Sequence, residues 1–241
     1  MEQRSEGRGV EARGSGAPRR PAELERRRLE ERRGPFGPGA PSVPERTPAL
    51  PVAFYARPAE EVARDLLGTL LVSTVDGVRT AARIVETEAY IGPEDDASHA
   101  AARIGRTPRN DAMFGPPGHA YVYRIYGIHW CLNAVTGKLG HPAAVLIRAA
   151  AIEEGVELAI ARRGVDEVDR LLRGPGNLCR ALGVTGLLNH HPLAQQPLQI
   201  TGGEPVPDAL VARGPRIGIT RATDLPLRFW IRGERAVSGR R

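Results

Sequence analysis

The sequence predicts an α+β fold: a single domain with a curved, largely antiparallel β-sheet flanked by helices, preceded by a disordered N-terminal tail. Three observations support this prediction. Strand-like runs outnumber helical runs, and the two kinds do not alternate as they do in parallel sheets. The first fifty residues differ in composition from the rest of the chain. A length of 241 residues is enough for one ordinary domain plus such a tail.

The predicted tail, residues 1–50, contains eleven arginines, eight glutamates, many glycines and prolines and almost no aromatic residues. Such a segment buries too little apolar surface to offset the entropy of ordering the chain, so we expect disorder. Its charges sum to +3, which is half of the net +6 of the whole chain. We therefore place the folded domain at residues 51–241.

Apolar spacing predicts the elements of this domain. Residues 58–71 have apolar side chains at helical spacing after a proline and two acids, which predicts a helix. Further helices are predicted at 156–163 and 171–182. Strand-like runs occupy 82–91, 120–126, 129–135, 143–149, 198–201, 216–220 and 228–231.

Composition limits the class of protein. The pI near 10.0 favours a polyanionic partner, although arginine-rich chains can be basic for no functional reason. Cys131 and Cys179 are isolated, which predicts neither a disulfide framework nor a zinc site. No apolar run has membrane length, and the N-terminus lacks a hydrophobic signal segment. We expect a soluble, reduced, cytoplasmic protein associated with the nucleoid and not with a membrane.

A strand at residues 83–90 would present two carboxylates and a phenol on one face. Side chains alternate along a strand, so Glu86, Glu88 and Tyr90 point the same way. Taken alone, this pattern is also typical of a half-solvated strand. The chain that follows makes a turn and reaches His99.

The loop after His99 is basic. Between residues 97 and 110 there is no acid, and three arginines occur, Arg103, Arg106 and Arg109. Guanidinium groups in such a loop are suited to contacts with phosphates at the border of a site. Each arginine alone is equally consistent with an ordinary basic loop.

Tyrosines are concentrated in one predicted strand. Three of the five in the chain, Tyr121, Tyr123 and Tyr126, lie within six residues. Tyr121 and Tyr123 share a face, and Tyr126 points to the other side just before Gly127. Aromatic residues on strands are usually core residues. In an aromatic-poor chain, this concentration beside a carboxylate and a histidine favours a platform for a flat ligand.

Several motifs, taken in order, resemble the alkyladenine (3-methyladenine) DNA glycosylase family. They are VETEAYIGPED at 85–95, TPRN at 107–110, YVYRIYG at 121–127, GPGNLC at 174–179, PRIGI at 215–219 and PLRF at 226–229. The resemblance covers about residues 53–238. It departs from the family's usual pattern at residues 149–155, after Arg148.

The resemblance implies a monofunctional glycosylase that acts on damaged purines in double-stranded DNA. It assigns Glu88 as the general base that activates water for attack on C1′ of the deoxyribose. Arg148 and the backbone of Ile217 are implied to position this water. Glu86 is the alternative base, and a structural ion pair is the alternative role for Arg148.

The remaining implied roles concern the damaged base. Tyr90 and His99 match the walls that sandwich a flipped base, with Tyr123 closing an edge. Asn133 matches the residue that excludes normal guanine, although a lone asparagine in a strand could equally be structural.

Eversion of a nucleotide leaves a gap in the duplex that something must fill. Tyr126 matches the family's intercalating wedge, with Ile128 as its support; core packing is the alternative for both.

We expect no cofactor and no metal. The chain's only lysine, Lys138, lies in a glycine-flanked turn, so we expect hydrolysis without a Schiff base or strand cleavage. The histidines lack metal-binding spacing, which argues against a metal-dependent hydrolase. The same residues are also consistent with a non-catalytic nucleic-acid-binding module, or with a nucleoside hydrolase acting on free nucleosides. We expect a monomer.

Overall fold

A computed structural model describes residues 47–98 and 105–239, and in this part of the chain nine strands form one antiparallel sheet. The strands, in chain order, are β1 (Leu70–Ser73), β2 (Thr80–Tyr90), β3 (Ala120–Ile125), β4 (His129–Thr136), β5 (Ala143–Glu154), β6 (Ala194–Gln195), β7 (Leu198–Thr201), β8 (Val211–Gly214) and β9 (Arg228–Ile231). Their order in the sheet is β3-β4-β5-β2-β1-β7-β6. Outside this order, β9 pairs with both β2 and β8. The predicted α+β class is confirmed.

Curvature comes from the long central pair of strands. β2 pairs with β5 along almost its whole length, and the register shifts between Ala81 and Ala82 and on both sides of Glu86. Such irregularities bend a strand and increase its twist. The other edge of β2 is shared by β1 near its start and β9 near its end. The sheet therefore curls around the half of β2 that carries the acidic residues.

Four α-helices flank the sheet in the described residues: α1 (Val52–Tyr55), α2 (Ala59–Asp65), α3 (Val156–Arg163) and α4 (Pro175–Leu182). α2 buries Val62 and Ala63, and α4 buries Leu178 and Leu182, in the main apolar core. α3 and α4 both end at a glycine in the left-handed region, Gly164 and Gly183. These helices pack on the sheet and contact each other.

Three predicted elements differ from the structure. The helix predicted for 58–71 ends at Asp65, because Gly68 has a φ of +87° and the chain turns there to start β1. The helix predicted for 171–182 begins at Pro175, a residue favoured in the first turn. The strand predicted at 216–220 is absent, and Val211–Gly214 forms a strand that was not predicted.

The described chain begins just before the predicted domain boundary. The Leu50 amide donates to the Ile200 carbonyl at 2.9 Å, and Ala49 forms a bridge with Thr201, so this segment lies along β7. The rest of the predicted tail, residues 1–46, lies outside the described residues. Within the described chain, no helix has the length and apolar character needed to cross a bilayer.

Candidate active site

Glu88 lies at the centre of the site, on the bent half of β2, and its side chain is fully buried. Its Oε1 accepts a hydrogen bond from the Ile217 backbone amide at 2.7 Å and lies 3.2 Å from Nη1 of Arg148. Its Oε2 accepts a hydrogen bond from the Tyr90 hydroxyl at 3.0 Å. Both carboxylate oxygens are therefore held in fixed positions.

Burial raises the pKa of Glu88 above its ordinary value. The Arg148 charge and the hydrogen bonds from Ile217 and Tyr90 lower the pKa and so oppose this effect, whereas nearby Glu86 adds to it. The net direction is a more basic carboxyl group, with its ionised form partly stabilised by these three contacts. Greater basicity favours acceptance of a proton from water, as a general base requires.

Glu86, the alternative base, has different surroundings. Its Oε1 accepts from Nε of Arg228 at 2.6 Å, and its Oε2 accepts from the Ser238 backbone amide at 2.6 Å. Nε of Arg148 lies 3.4 Å from the same Oε1. These contacts fix the C-terminal segment against the sheet. The geometry favours a structural role for Glu86 and leaves Glu88 as the candidate base.

Arg148, on β5, contacts both acids and Oγ of Ser238. Its side chain is only 9% exposed, yet it lines the main cavity. Arg148 therefore forms the ion pair that is the alternative interpretation, with Glu86, and it also lines the cavity beside Glu88, where its implied role of positioning water stays a prediction.

A cavity of about 710 Å³ opens above Glu88. Tyr90, Arg148 and Ile217, the three residues that contact the Glu88 carboxylate, all line it. Glu88 itself is fully buried and does not line the cavity, so it lies behind these three residues of the cavity wall. The other lining residues include Ser98, Thr107, Asn110, Met113, Tyr121, Tyr123, Cys131, Asn133, Leu146 and residues 174–177 at the start of α4.

Tyrosines form much of one side of the cavity. The Tyr121 and Tyr123 rings stack with centroids 5.1 Å apart and an interplanar angle of 27°. Burial raises the pKa of Tyr121 to about 12 and that of Tyr123 above its ordinary range, so both phenols are neutral at pH 7. Asn133 donates from Nδ2 to the Tyr121 carbonyl at 2.9 Å, which fixes the amide in the wall.

Tyr90 is supported by a buried ion pair that the sequence did not predict. The Arg216 guanidinium lies over the Tyr90 ring, 4.7 Å from its centroid. Arg216 also donates to both carboxylate oxygens of Asp95, at 2.7 Å from Nη2, and to the Ala89 carbonyl. The partners lie 121 residues apart in the sequence, and no local pattern connects them. Arg216 immediately precedes Ile217, so this pair braces both the tyrosine and the amide that contacts Glu88.

The turn between β3 and β4 presents the predicted wedge. Tyr126 has a φ of +54° and Gly127 a φ of +71°, as in a type I′ turn, and the Ile128 amide donates to the Ile125 carbonyl. Tyr126 is 81% exposed and Ile128 is 65% exposed. Neither side chain packs in the core, so the alternative interpretation of these two residues is wrong.

The predicted basic loop is only partly described. Arg106 is exposed but pairs at 2.6 Å with Asp111, which lies just beyond the acid-free stretch. Arg109 is exposed, lines the cavity and donates to the Arg124 carbonyl. His99 and Arg103 lie outside the described residues. In the two described ranges, no group of three His, Cys, Asp or Glu residues is arranged to hold a metal ion.

Comparison with known proteins shows which family the chain matches. Residues 53–235 match the model of the family described as methylpurine-DNA glycosylase. The chain is 50% identical over 194 residues to a protein of Methanoculleus marisnigri, covering 79% of this chain and 99% of that protein. It is 49% identical over 192 residues to a protein of Myxococcus xanthus, covering 78% and 93% respectively. Both relatives are provisionally named 3-methyladenine DNA glycosylases.

Proposed function

The chain belongs to the methylpurine-DNA glycosylase family, and from this premise we propose that it removes alkylated or deaminated purines of the 3-methyladenine type from double-stranded DNA. As a family member it is a hydrolase acting on N-glycosyl bonds of DNA. One observation carries the mechanistic part of the proposal: the buried Glu88 carboxylate is held by three residues that line the cavity. Residues 51–241 are the proposed glycosylase domain, acting as a monomer.

Tyr126 is the proposed wedge that fills the gap left by the everted nucleotide. Eversion costs a few kcal/mol, because the base loses its pairing and stacking. A tyrosine in the left-handed region is itself strained by roughly 1–3 kcal/mol. Its ring is 81% exposed, so packing within the protein does not offset that strain. Stacking of the ring between base pairs would offset it, with exposed Ile128 contacting the adjacent step.

Tyr90 and Tyr123 are the proposed contacts of the everted base within the cavity, and His99 is the proposed opposite wall. Stacking on an aromatic side chain contributes about 1–3 kcal/mol per base, which is comparable to the cost of eversion. Alkylated purines that carry a positive charge also gain attraction to a neutral tyrosine face. The fixed amide of Asn133 is the proposed barrier to normal guanine.

Glu88 is the proposed general base. A water molecule attacks C1′ as its proton passes to Glu88, and the electron pair of the C1′–N bond leaves with the purine. The ionised carboxylate also stabilises positive charge on the sugar as the bond breaks. One carboxylate is enough, because the leaving purine is either already cationic or protonated on its ring. Arg148 and the Ile217 amide hold Glu88 and orient the water beside it.

The position of Lys138 supports hydrolysis without strand cleavage. A lyase forms a Schiff base between an amine and the sugar. Lys138, the only lysine of the chain, lies in the turn after β4, at the end opposite Tyr126, and does not line the cavity. Arg109, at the cavity border, is a proposed contact of the DNA backbone, as are Arg106 and Arg103 of the same loop.

The test is direct release of base. The protein is incubated with chelator on duplexes that each contain 7-methylguanine, hypoxanthine or ethenoadenine, and free base is measured by chromatography. We expect release from at least one duplex, with the strand intact until alkali is added and no covalent complex trapped by borohydride. Binding without release would indicate a non-catalytic DNA-binding module. Release only from free nucleosides would indicate a nucleoside hydrolase.

A further inference from the structure

A second cleft lies on the other side of the β3–β4 turn. It has a volume of about 680 Å³ and is lined by Arg124, Trp130, Gly127, Gly186 and other residues of the surrounding segments. Arg109, Tyr123 and Tyr126 line both this cleft and the cavity above Glu88. The proposed wedge therefore stands between the two spaces.

The wall of this cleft combines an aromatic ring and a cation, and an exposed apolar residue follows one of the lining residues in the chain. The Arg124 guanidinium lies 5.4 Å from the Trp130 ring centroid. Gly186 packs so closely on the same ring that an added Cβ would lie 2.8 Å from it. Next to Gly186, Leu187 is 95% exposed, the most exposed large apolar residue of the described chain.

This apolar residue is displayed by an ordered segment. Gly186–Leu188 form a 3₁₀ turn whose start is capped by the Thr185 side chain. Oδ1 of Asn189 accepts a hydrogen bond from the Val122 backbone amide at 2.9 Å, which ties the segment to β3. Leu187 is therefore held outward beside the cleft, where a partner surface would shield it from water.

We propose that this cleft and Leu187 bind the undamaged DNA strand opposite the everted nucleotide. The inference rests on the proposed function. A wedge inserted between base pairs has the damaged strand on one side and the complementary strand on the other. If the damaged nucleotide enters the cavity above Glu88, the complementary strand lies on the side of the second cleft. The chemistry matches: Arg124, held against the Trp130 ring, and Arg109 meet phosphates, and Leu187 contacts sugar carbons.

The experiment measures binding to two DNAs by fluorescence anisotropy. One is a duplex with a tetrahydrofuran abasic analogue; the other is the same duplex lacking a few nucleotides of the complementary strand opposite the analogue. Leu187→Ala and Arg124→Ala are compared with Leu139→Ala and Arg79→Ala. Leu139 is 71% exposed and lies beyond the opposite end of β4, and Arg79 is exposed beyond the start of β2.

We expect Leu187→Ala to weaken binding to the intact duplex by about fivefold and to have little effect on the gapped duplex. Arg124→Ala should behave similarly and lower the slope of log affinity against log salt by about one. The two controls should match the unsubstituted protein on both DNAs.

Equal losses on both DNAs, no loss on either, or the same loss in Leu139→Ala would overturn the proposal. Base release by the unsubstituted protein is measured separately. Absence of release would count against the proposed function without altering the comparison of the two DNAs.

Discussion

The ion pair between Asp95 and Arg216 gives a prediction about stability and catalysis together. Both side chains are fully buried. Asp95→Asn removes the charge but keeps one oxygen as an acceptor, while Arg216 keeps its bond to the Ala89 carbonyl and its contact with Tyr90. Breaking a buried pair from one side costs about 3–5 kcal/mol. Because some contacts remain, we expect the lower end, about 3 kcal/mol.

In a domain of this size, 1 kcal/mol corresponds to roughly 2–4 °C in Tm, so the expected fall is about 6–12 °C. Thermal and urea unfolding measure it. The matched control is Asp208→Asn, because Asp208 pairs with Arg64 but is 92% exposed, and surface pairs contribute little. The double variant Asp95→Leu/Arg216→Met should be less destabilised than Asp95→Asn, since it leaves no buried charge.

The same substitution should lower kcat at temperatures where the variant is folded. Ile217 follows Arg216 directly, and its amide donates to Glu88, so a displaced Arg216 disturbs the proposed base. A Tm for Asp95→Asn within 2 °C of the Tm for Asp208→Asn would refute this reasoning. So would a double variant that is less stable than Asp95→Asn.

Three further predictions follow from the site. Burial raises the pKa of Glu88, and activity needs its ionised form, so the acid limb of the pH–rate profile should lie above the range of an ordinary glutamate. Arg148→Gln removes the charge that lowers this pKa and should move the limb to higher pH. An unchanged limb would contradict the assignment. Tyr126→Ala should slow single-turnover release about tenfold or more without lowering the Tm, because the ring is largely exposed and contributes little to the core; an unchanged rate would count against the wedge. Lys138→Ala should leave release unchanged, and a large loss of activity would reveal an unexpected role for the amine.

The sequence predicted those features of the site that depend on local geometry. Strand alternation predicted that Glu86 and Glu88 share a face, and in the structure both contact Arg148. The glycine after Tyr126 predicted a turn there, and both residues have positive φ. Local patterns of this kind are independent of how the rest of the chain packs.

Other features depend on partners far away in the chain. Which of the two glutamates is suited to act as a base is decided by Arg228 and Ser238, which lie 142 and 152 residues from Glu86 and occupy its oxygens. The support of Tyr90 by Asp95 and Arg216 also spans more than a hundred residues. The apolar spacing of residues 58–71 did not reveal that Gly68 would end the helix and start a strand. Periodicity alone does not distinguish a helix end from a buried strand.

The central claim is that Glu88 drives hydrolysis and is not needed for recognition. Its direct test compares Glu88→Gln with the unsubstituted protein on one lesion duplex, measuring single-turnover base release and the Kd separately. Glu153→Gln is the control, because burial also raises the pKa of the Glu153 carboxyl, but its side chain is partly exposed and pairs with Arg83 away from the cavity. We predict that Glu88→Gln slows release at least about 100-fold while Kd changes less than about threefold, and that Glu153→Gln releases base normally. Release by Glu88→Gln at the normal rate, or loss of binding together with release, would contradict the account.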